Sequence, residues 1–313
     1  MRIFGSKKAL FGGIVGVLAV AVLLPVFAFG DAKVIFVDED ASGTQNGSKE
    51  HPYKTISEAL DHATKGSEVH IASGEYKESI TIPKGVEVYG KKGDRGKVII
   101  DGGTSKPTVT MKYDSELNHV TVKDGRNGIY VDDDARAKIY DVVVKGAEKD
   151  GIRIESASTN KKERVIIDHV VSEKNGKSGL YTKKRDVVIL SSEFTENGTD
   201  GAVFAQGVKV WIEKSVFNDN KGSGAIMTAD ESSIWTKKNQ FRRNGREGVE
   251  LNGYGAIGSI GLKTSKFVDN GRYGVAVVAR SAAGQNVWKS LTREQNEEWG
   301  NRLGGVSKVV IAY

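Results

Sequence analysis

Four consecutive segments of the 313-residue chain share one pattern. They read FTENGTDGA from Phe194, FNDNKGSGA from Phe217, FRRNGREGV from Phe241 and FVDNGRYGV from Phe267. All fit F-x-x-N-x-x-x-G-[AV], with the shared glycine at Gly201, Gly224, Gly248 and Gly274. Weaker matches carry it back to Gly179, Gly151 and Gly128, in steps of 23, 28, 22, 23, 24 and 26 residues along the whole series. The asparagine recurs as Asn175, Asn197, Asn220, Asn244 and Asn270, and is replaced by Ala147 and Asp124 in the earliest copies. A unit this short cannot bury an apolar face alone, so the chain must stack its copies.

Each unit contains short apolar alternations. Ile129/Val131, Ile152/Ile154, Ala202/Phe204, Val249/Leu251 and Val275/Val277 follow the glycine, and Val208/Val210/Ile212 shows a second run before the phenylalanine. A spacing of two is the period of a strand with one face inward. A small polar residue, such as Ser192, Ser215, Asn239 or Ser265, stands two before the phenylalanine and marks a tight turn. Three short strands per unit describe one coil of a parallel β-helix, an all-β solenoid. Asparagine at one level can form a ladder, and glycine at a corner gives positive φ or room for close approach. Leucine-rich repeats share this period, but leucine is scarce here. Helical repeats need longer periods and 3.6 spacing.

Composition agrees with this reading. There are 38 Gly but only four Pro, none beyond Pro107. Proline cannot donate to a strand ladder and is confined to edges. The absence of cysteine excludes disulfides, thiolate metal sites and a cysteine nucleophile. Counting first strands at 69, 98, 129, 152, 180, 202, 225, 249 and 275 predicts nine coils, or roughly 38 Å of stacked strands.

Open solenoid ends need caps. Ile56, Ala59, Leu60 and Ala63 share a helical face, and Thr55 with Glu58 makes a capping-box signal. A capping helix is expected over residues 55–65. Residues 286–313 are expected to cap the other end, with a helix over Leu291–Leu303 and extended chain over Val306–Ala312. The β-helix proper is assigned to residues 31–285.

Arg2, Lys7 and Lys8 precede an apolar run from Ala9 to Phe29, with no acid before Asp31. Residues 1–30 therefore read as an export signal or membrane anchor. Pro25 interrupts the run, and small residues at Ala28 and Gly30, or at Gly30 and Ala32, suit signal-peptidase cleavage. The rest is expected to be extracytoplasmic, secreted or anchored at the cell surface. Removing residues 1–30 reduces 46 basic residues to 43 against an unchanged 40 acids, a net of +3. That near balance gives no support for nucleic-acid binding, and membrane contact is expected only through the N-terminal segment.

The segment from Val37 contains G-T-x-x-G-S, H-P-Y-x-T-I-x-x-A-L, G-x-x-V-x-I-A-x-G-x-Y and I-x-I-P-x-G-V-x-V-x-G. It resembles the opening of exported right-handed β-helix proteins of the pectate-lyase-like superfamily. With the repeats, the resemblance covers residues 34–280. It implies a right-handed single-stranded parallel β-helix. It also implies polysaccharide chemistry in several forms, from lyases and hydrolases to epimerases, tailspikes and non-catalytic members. The D-P-H-D motif of alginate epimerases is absent, and Asp132-Asp133-Asp134 does not match it. The paired aspartates and His-Gly element of polygalacturonases are not evident.

The resemblance implies that substrates lie on the outward face of the strand after the repeated glycine. One outward column reads Tyr130, Arg153, Tyr181, Val203, Ile226, Glu250 and Ala276, and the next Asp132, Glu155, Lys183, Ala205, Thr228, Asn252 and Val278. Tyr130, Asp132, Arg153, Glu155, Tyr181 and Lys183 are therefore the candidate substrate-binding set. The tyrosines could stack on sugars and Arg153 could pair with a uronate carboxylate. In a lyase, Arg153, Lys183 and Tyr181 are the catalytic candidates, Lys183 or a tyrosine taking the α-proton. No cofactor is required, although Asp132 and Glu155 could share a calcium ion. The plainer reading makes Asp132/Arg153 and Glu155/Lys183 cross-strand ion pairs on a solvated sheet. Val203, Ala205, Ile226, Ala276 and Val278 would form an exposed apolar patch. It would be covered either by the C-terminal segment with Trp288 and Trp299 or by other protomers of a homotrimer.

Three functions fit, in this order: an exported, non-catalytic β-helix that binds polysaccharide or serves a cell-surface structural role; a polysaccharide lyase or hydrolase acting on acidic, uronate glycans; and an oligomeric surface assembly protein. The expected partner is a polysaccharide, possibly acidic in the first case and necessarily so in the second.

Overall fold

The computed structural model describes residues 33–156, 163–253, 258–278 and 287–307. The expected export segment, residues 1–30, lies outside them. The described chain winds into three parallel sheets whose neighbouring strands come from successive coils. Sheet A has eleven strands, from Val34–Val37 to Leu291–Glu294. Sheet B has ten, from Gly74–Tyr76 to Glu297–Trp299, and sheet C ten, from Ile80–Ile82 to Gly304–Val306. Sheet C holds the strands that follow the repeated glycine.

The repeat residues make the core and the corners. Phe194, Phe217, Phe241 and Phe267 are fully buried and stack with ring centroids 5.1, 4.8 and 5.1 Å apart. That is the spacing of hydrogen-bonded strands. In the turn from sheet B to sheet C, Asn175, Asn197, Asn220, Asn244 and Asn270 form a ladder, each side-chain amide donating to the next Oδ1 at 3.0 Å, with Asn301 at 2.8 Å completing it. A second ladder holds the turn from A to B. There the Ser192, Ser215, Asn239 and Ser265 amides each donate to the polar side chain one coil on, Asn296 being the last. The residue before each of these bends, Ser191, Lys214, Lys238 or Thr264, has positive φ without being glycine. The repeated glycine serves close approach: a Cβ on Gly224 would stand 2.6 Å from the Gly248 carbonyl oxygen.

Two expectations change. Val69 belongs to sheet A and Val98 to sheet B, so the column starting at Ile129 begins with Ile80–Ile82 and Val109–Met111 instead. The first coils lack the Asn/Gly punctuation that fixes the starting strand. The helix expected over Leu291–Leu303 is three strands of a further coil, Leu291–Glu294, Glu297–Trp299 and Gly304–Val306. Its backbone pairs with Ile260–Lys263, Lys266–Val268 and the strand containing Tyr273 and Val275. The β-helix thus runs past residue 285.

The helix near the start spans Ile56–Asp61. Thr55 Oγ1 accepts from the Glu58 amide, while the Ile56 and Ser57 amides donate to the Glu78 carboxylate at 2.8 and 2.9 Å. Ile56, Ala59 and Leu60 are buried in the core shared with the coils. Among the described residues no helix is long and apolar enough to cross a membrane.

Candidate functional site

Backbone register places Tyr130, Arg153 and Tyr181 side by side on the outer face of sheet C, and Glu155 beside Lys183. Arg153 is the centre of the set. Its guanidinium donates to Asp150 Oδ2 at 2.7 Å and to both oxygens of Glu155 at 3.1 and 2.8 Å, and lies 4.3 Å from the Tyr181 ring centroid. Asp150 is nearly fully buried, and its other oxygen accepts from the Ser178 amide. Desolvation opposes the charge on Arg153, but the Glu155 and Asp150 bonds prevail and hold its pKa above the ordinary value.

These contacts replace the coil-to-coil pairs expected. Asp132 turns back to Lys112 Nζ at 2.8 Å and does not meet Arg153. Glu155 is taken by Arg153, and Lys183 makes no ion pair among the described residues. The two carboxylates considered for calcium thus each take a cationic side chain. Among the described residues no three His, Cys, Asp or Glu groups are arranged to hold a metal ion. Desolvation raises the Tyr181 phenol pKa, opposed by Arg153 and assisted by Glu155 and Asp150. Tyr130 is also raised, by desolvation and then by Glu155, Asp132 and Asp133. Neither tyrosine is disposed to ionise and take a proton at neutral pH.

A groove of about 520 Å³ opens beside this cluster. Tyr130, Arg153 and Glu155 line it from sheet C, and Ser105, Lys106 and Pro107 from the first wall. Arg185 shapes the ground next to it. This fully buried side chain reaches back to donate to the carbonyls of Asp132 and Asp133, at 3.0 and 2.9 Å, and of Ala135. Burial lowers its pKa.

The family described as "Right handed beta helix region" matches residues 127–288, more than half of the chain. The chain belongs to the right-handed β-helix family. No curated protein matches it in sequence. Among solved structures it is similar to the A-module of an Azotobacter vinelandii mannuronan C-5 epimerase, with TM-score 0.53 and 13% identity, covering 88% of this chain and 99% of that one. The pectate lyase Pel9A gives TM-score 0.51 at 14% identity, covering 90% of this chain and 77% of that one. An alginate lyase from Paenibacillus sp. str. FPU-7 gives 0.50 at 12%, covering 89% and 99%. At these identities the likeness is one of fold.

On this β-helix the second wall of the groove is a column of cations that the strand-face reading missed. Lys106, Arg126, Lys149 and Lys177 occupy one level of the B-to-C turn in successive coils. Their backbones are linked directly, each amide donating to the previous carbonyl at 2.8, 2.9 and 2.9 Å. None of the four side chains is in an ion pair among the described residues. The signal was present in the repeat, because the last three stand two residues before Gly128, Gly151 and Gly179. Further along, the same level carries Thr199, Gly222, Arg246 and Arg272. There the charge is matched: Arg246 meets Glu250 at 3.1 Å and Glu247 at 3.6 Å, and Arg272 meets Glu247 at 3.9 Å. Nearby Asp200, close to Glu250 and Glu247, has its pKa raised to about 6. Desolvation is the main cause, opposed by the Ser223 amide, which donates at 2.7 Å, and by Arg246.

On the later part of the sheet C face no residue of the expected apolar patch is fully exposed. Ala276 and Val278 are buried, and Val203, Ala205 and Ile226 are half-buried. Exposed large apolar side chains lie elsewhere, at Val34, Trp211, Trp235, Trp299 and Leu303.

Proposed function

We propose that this β-helix is an exported protein that binds an acidic polysaccharide along the groove without cleaving it. The observation that carries the reading is the column Lys106, Arg126, Lys149 and Lys177, four cations one coil apart with no partner among the described residues. A regular row of unmatched charge along an edge suits a polymer with charge repeated along its length, and low local dielectric at the groove base strengthens the attraction. Tyr130 supplies an apolar ring face for a sugar. Arg153 is already neutralised by Asp150 and Glu155, so it and Tyr181 act as a rigid floor. Binding without turnover is supported by the protonated tyrosines and by the engagement of Arg153. The Ile56–Asp61 helix serves as the lid on the first coils, as its buried face suggests.

Turnover of an acidic glycan is the alternative, because the similar structures are named for mannuronan, pectate and alginate. One experiment separates the two. Purified protein is run by affinity electrophoresis in gels containing polygalacturonate, alginate or neutral glucan, and the same mixtures are assayed for unsaturated uronate and new reducing ends. Binding to the polyuronates is expected, weakening as salt rises. The triple variant R126A/K149A/K177A should bind about three- to 150-fold more weakly, at about 0.2–1 kcal/mol per exposed charge contact. Unchanged binding by that variant refutes the groove. Product formation by the parent would establish the alternative.

A further inference from the structure

We infer that sheet A carries a second saccharide site, for an uncharged glycan of equatorially linked rings, built on Trp211 and Trp235. The acidic-glycan reading of the groove neither assigns nor requires it.

The two tryptophans are register partners in successive coils of sheet A, on its outward face. They are 42% and 43% exposed, unusual for the largest apolar side chain. Ile166 and Val188 continue the same outward column behind them. Ahead of them the column reaches Gly261, the partner of Trp235. A Cβ at that position would fall 2.1 Å from Trp235 Cε3 and 2.4 Å from Cζ3, so the indole lies down over the glycine backbone. Trp235 Nε1 also donates to Ser233 Oγ at 3.2 Å. The ring is thus fixed from two sides before any ligand arrives, with its remaining surface turned to solvent. Preorganised aromatic faces lose little entropy on binding.

The size of the patch selects the occupant. A tryptophan offers about 150–250 Å² of surface, so two rings at these exposures present about 130–210 Å². A stable protein partner needs about 800 Å² on each side. Two sugar rings need no more than the indoles supply. The negative face of an indole attracts the C–H groups on the flat face of a pyranose. Rings one coil apart on a single column suit a ribbon-like chain, whose equatorial linkages keep both faces of each sugar flat. Glu213 and Lys237, register partners on the neighbouring outward column, have no ion pair among the described residues and offer an acceptor and a donor for hydroxyls. Ser233 and Ser259 flank the other side, their hydroxyls 3.4 Å apart.

The test is isothermal titration of the full chain with cellohexaose and with N-acetylchitohexaose. At least one should bind. W211A and W235A should each weaken it about tenfold, and W235F should recover part of the loss. G261V should also weaken it, by displacing the Trp235 ring while leaving both tryptophans in place. W299A, an exposed tryptophan on sheet B, should leave it unchanged. So should R126A/K149A/K177A, which separates failure of this site from failure of the groove. The inference is overturned if neither hexasaccharide binds, or if W211A and W235A bind like the parent. It is also overturned if sedimentation shows a dimer that W235A dissociates, which would make the patch a contact between copies.

Discussion

Asn220 sits in the middle of the asparagine ladder and is 1% exposed. Its Oδ1 accepts from the Asn197 backbone amide and side-chain amide, both at 3.0 Å. Its Nδ2 donates to Asn244 Oδ1 and the Phe194 carbonyl, also at 3.0 Å. Asn220→Ala removes all four bonds. Two of the partners are still served, since Asn197 Nδ2 donates to Ser172 O at 3.2 Å and Asn244 Oδ1 accepts from the Asn220 amide at 3.2 Å. The buried Asn197 N–H loses its side-chain acceptor, which costs about 1–3 kcal/mol, and the other lost bonds about 0.5–1.5 kcal/mol each where no water replaces them. A loss of about 3–4 kcal/mol is expected, measured by urea unfolding followed through far-UV circular dichroism. The control is Asn218→Ala, two residues away and also buried. Asn218 Oδ1 has no hydrogen-bond partner, and its amide only reaches the adjacent Asp219. That change should cost less than about 1 kcal/mol. If Asn220→Ala costs as little as Asn218→Ala, the ladder does not hold the coils and the reasoning fails.

Two further outcomes follow from buried charge. Asp200 titrates near 6 in the fold against an ordinary 3.8, so it is protonated in both folded and unfolded chains below about pH 3.8. As pH rises through 6 the folded state must ionise a desolvated acid, and up to about 3 kcal/mol of stability is lost. Asp200→Asn keeps an acceptor for the Ser223 amide and should match the parent at pH 3.5 while exceeding it by about 2–3 kcal/mol at pH 8. Equal stability at pH 8 would remove the argument. Arg185→Met should lower stability by about 2–3 kcal/mol, because three loop carbonyls lose their donors. It should also speed hydrogen exchange across residues 132–135, and protection at the parent level there would refute the role given to Arg185.

The repeat made the coils legible because it records two stacking constraints directly. A phenylalanine every coil fills the same core slot, and a glycine every coil avoids the next carbonyl. The last coil was missed although it obeys the same rule: Glu298, Asn301, Gly305 and Val306 fit the pattern with glutamate in the phenylalanine slot. Register confirms the substitution, since Glu298 pairs with Phe267 and Asn301 continues the ladder to Asn270. Among the described residues no further ring follows in that slot, and Glu298 turns to Arg293. The largely polar segment from Thr292 to Arg302, rich in Arg and Glu, then reads as a helix. The site was half legible for a related reason. Strand periodicity assigns outward residues, so Tyr130, Arg153 and Tyr181 were found. It does not say which neighbour wins a charge. Arg153 chose Asp150 and Glu155, three and two residues away in its own coil, over the residues one coil away.

The distribution of matched and unmatched cations also gives the β-helix a direction. At the level of the B-to-C turn, Lys106, Arg126, Lys149 and Lys177 have no carboxylate partner among the described residues, Thr199 and Gly222 carry no charge, and Arg246 and Arg272 are held by Glu247 and Glu250. Glu247 is fully buried and Glu250 nearly so, which makes the pairs costly to break for an incoming ligand. An anionic chain of the kind proposed would gain contacts along four coils and then meet two coils that are neutral at this level, followed by arginines already committed. The sheet on which it lies is continuous through all of these coils, so backbone geometry cannot end the site. Charge matching can, and on the proposed reading it would confine an anionic chain to the N-terminal half of the groove face, with the four cations setting its register.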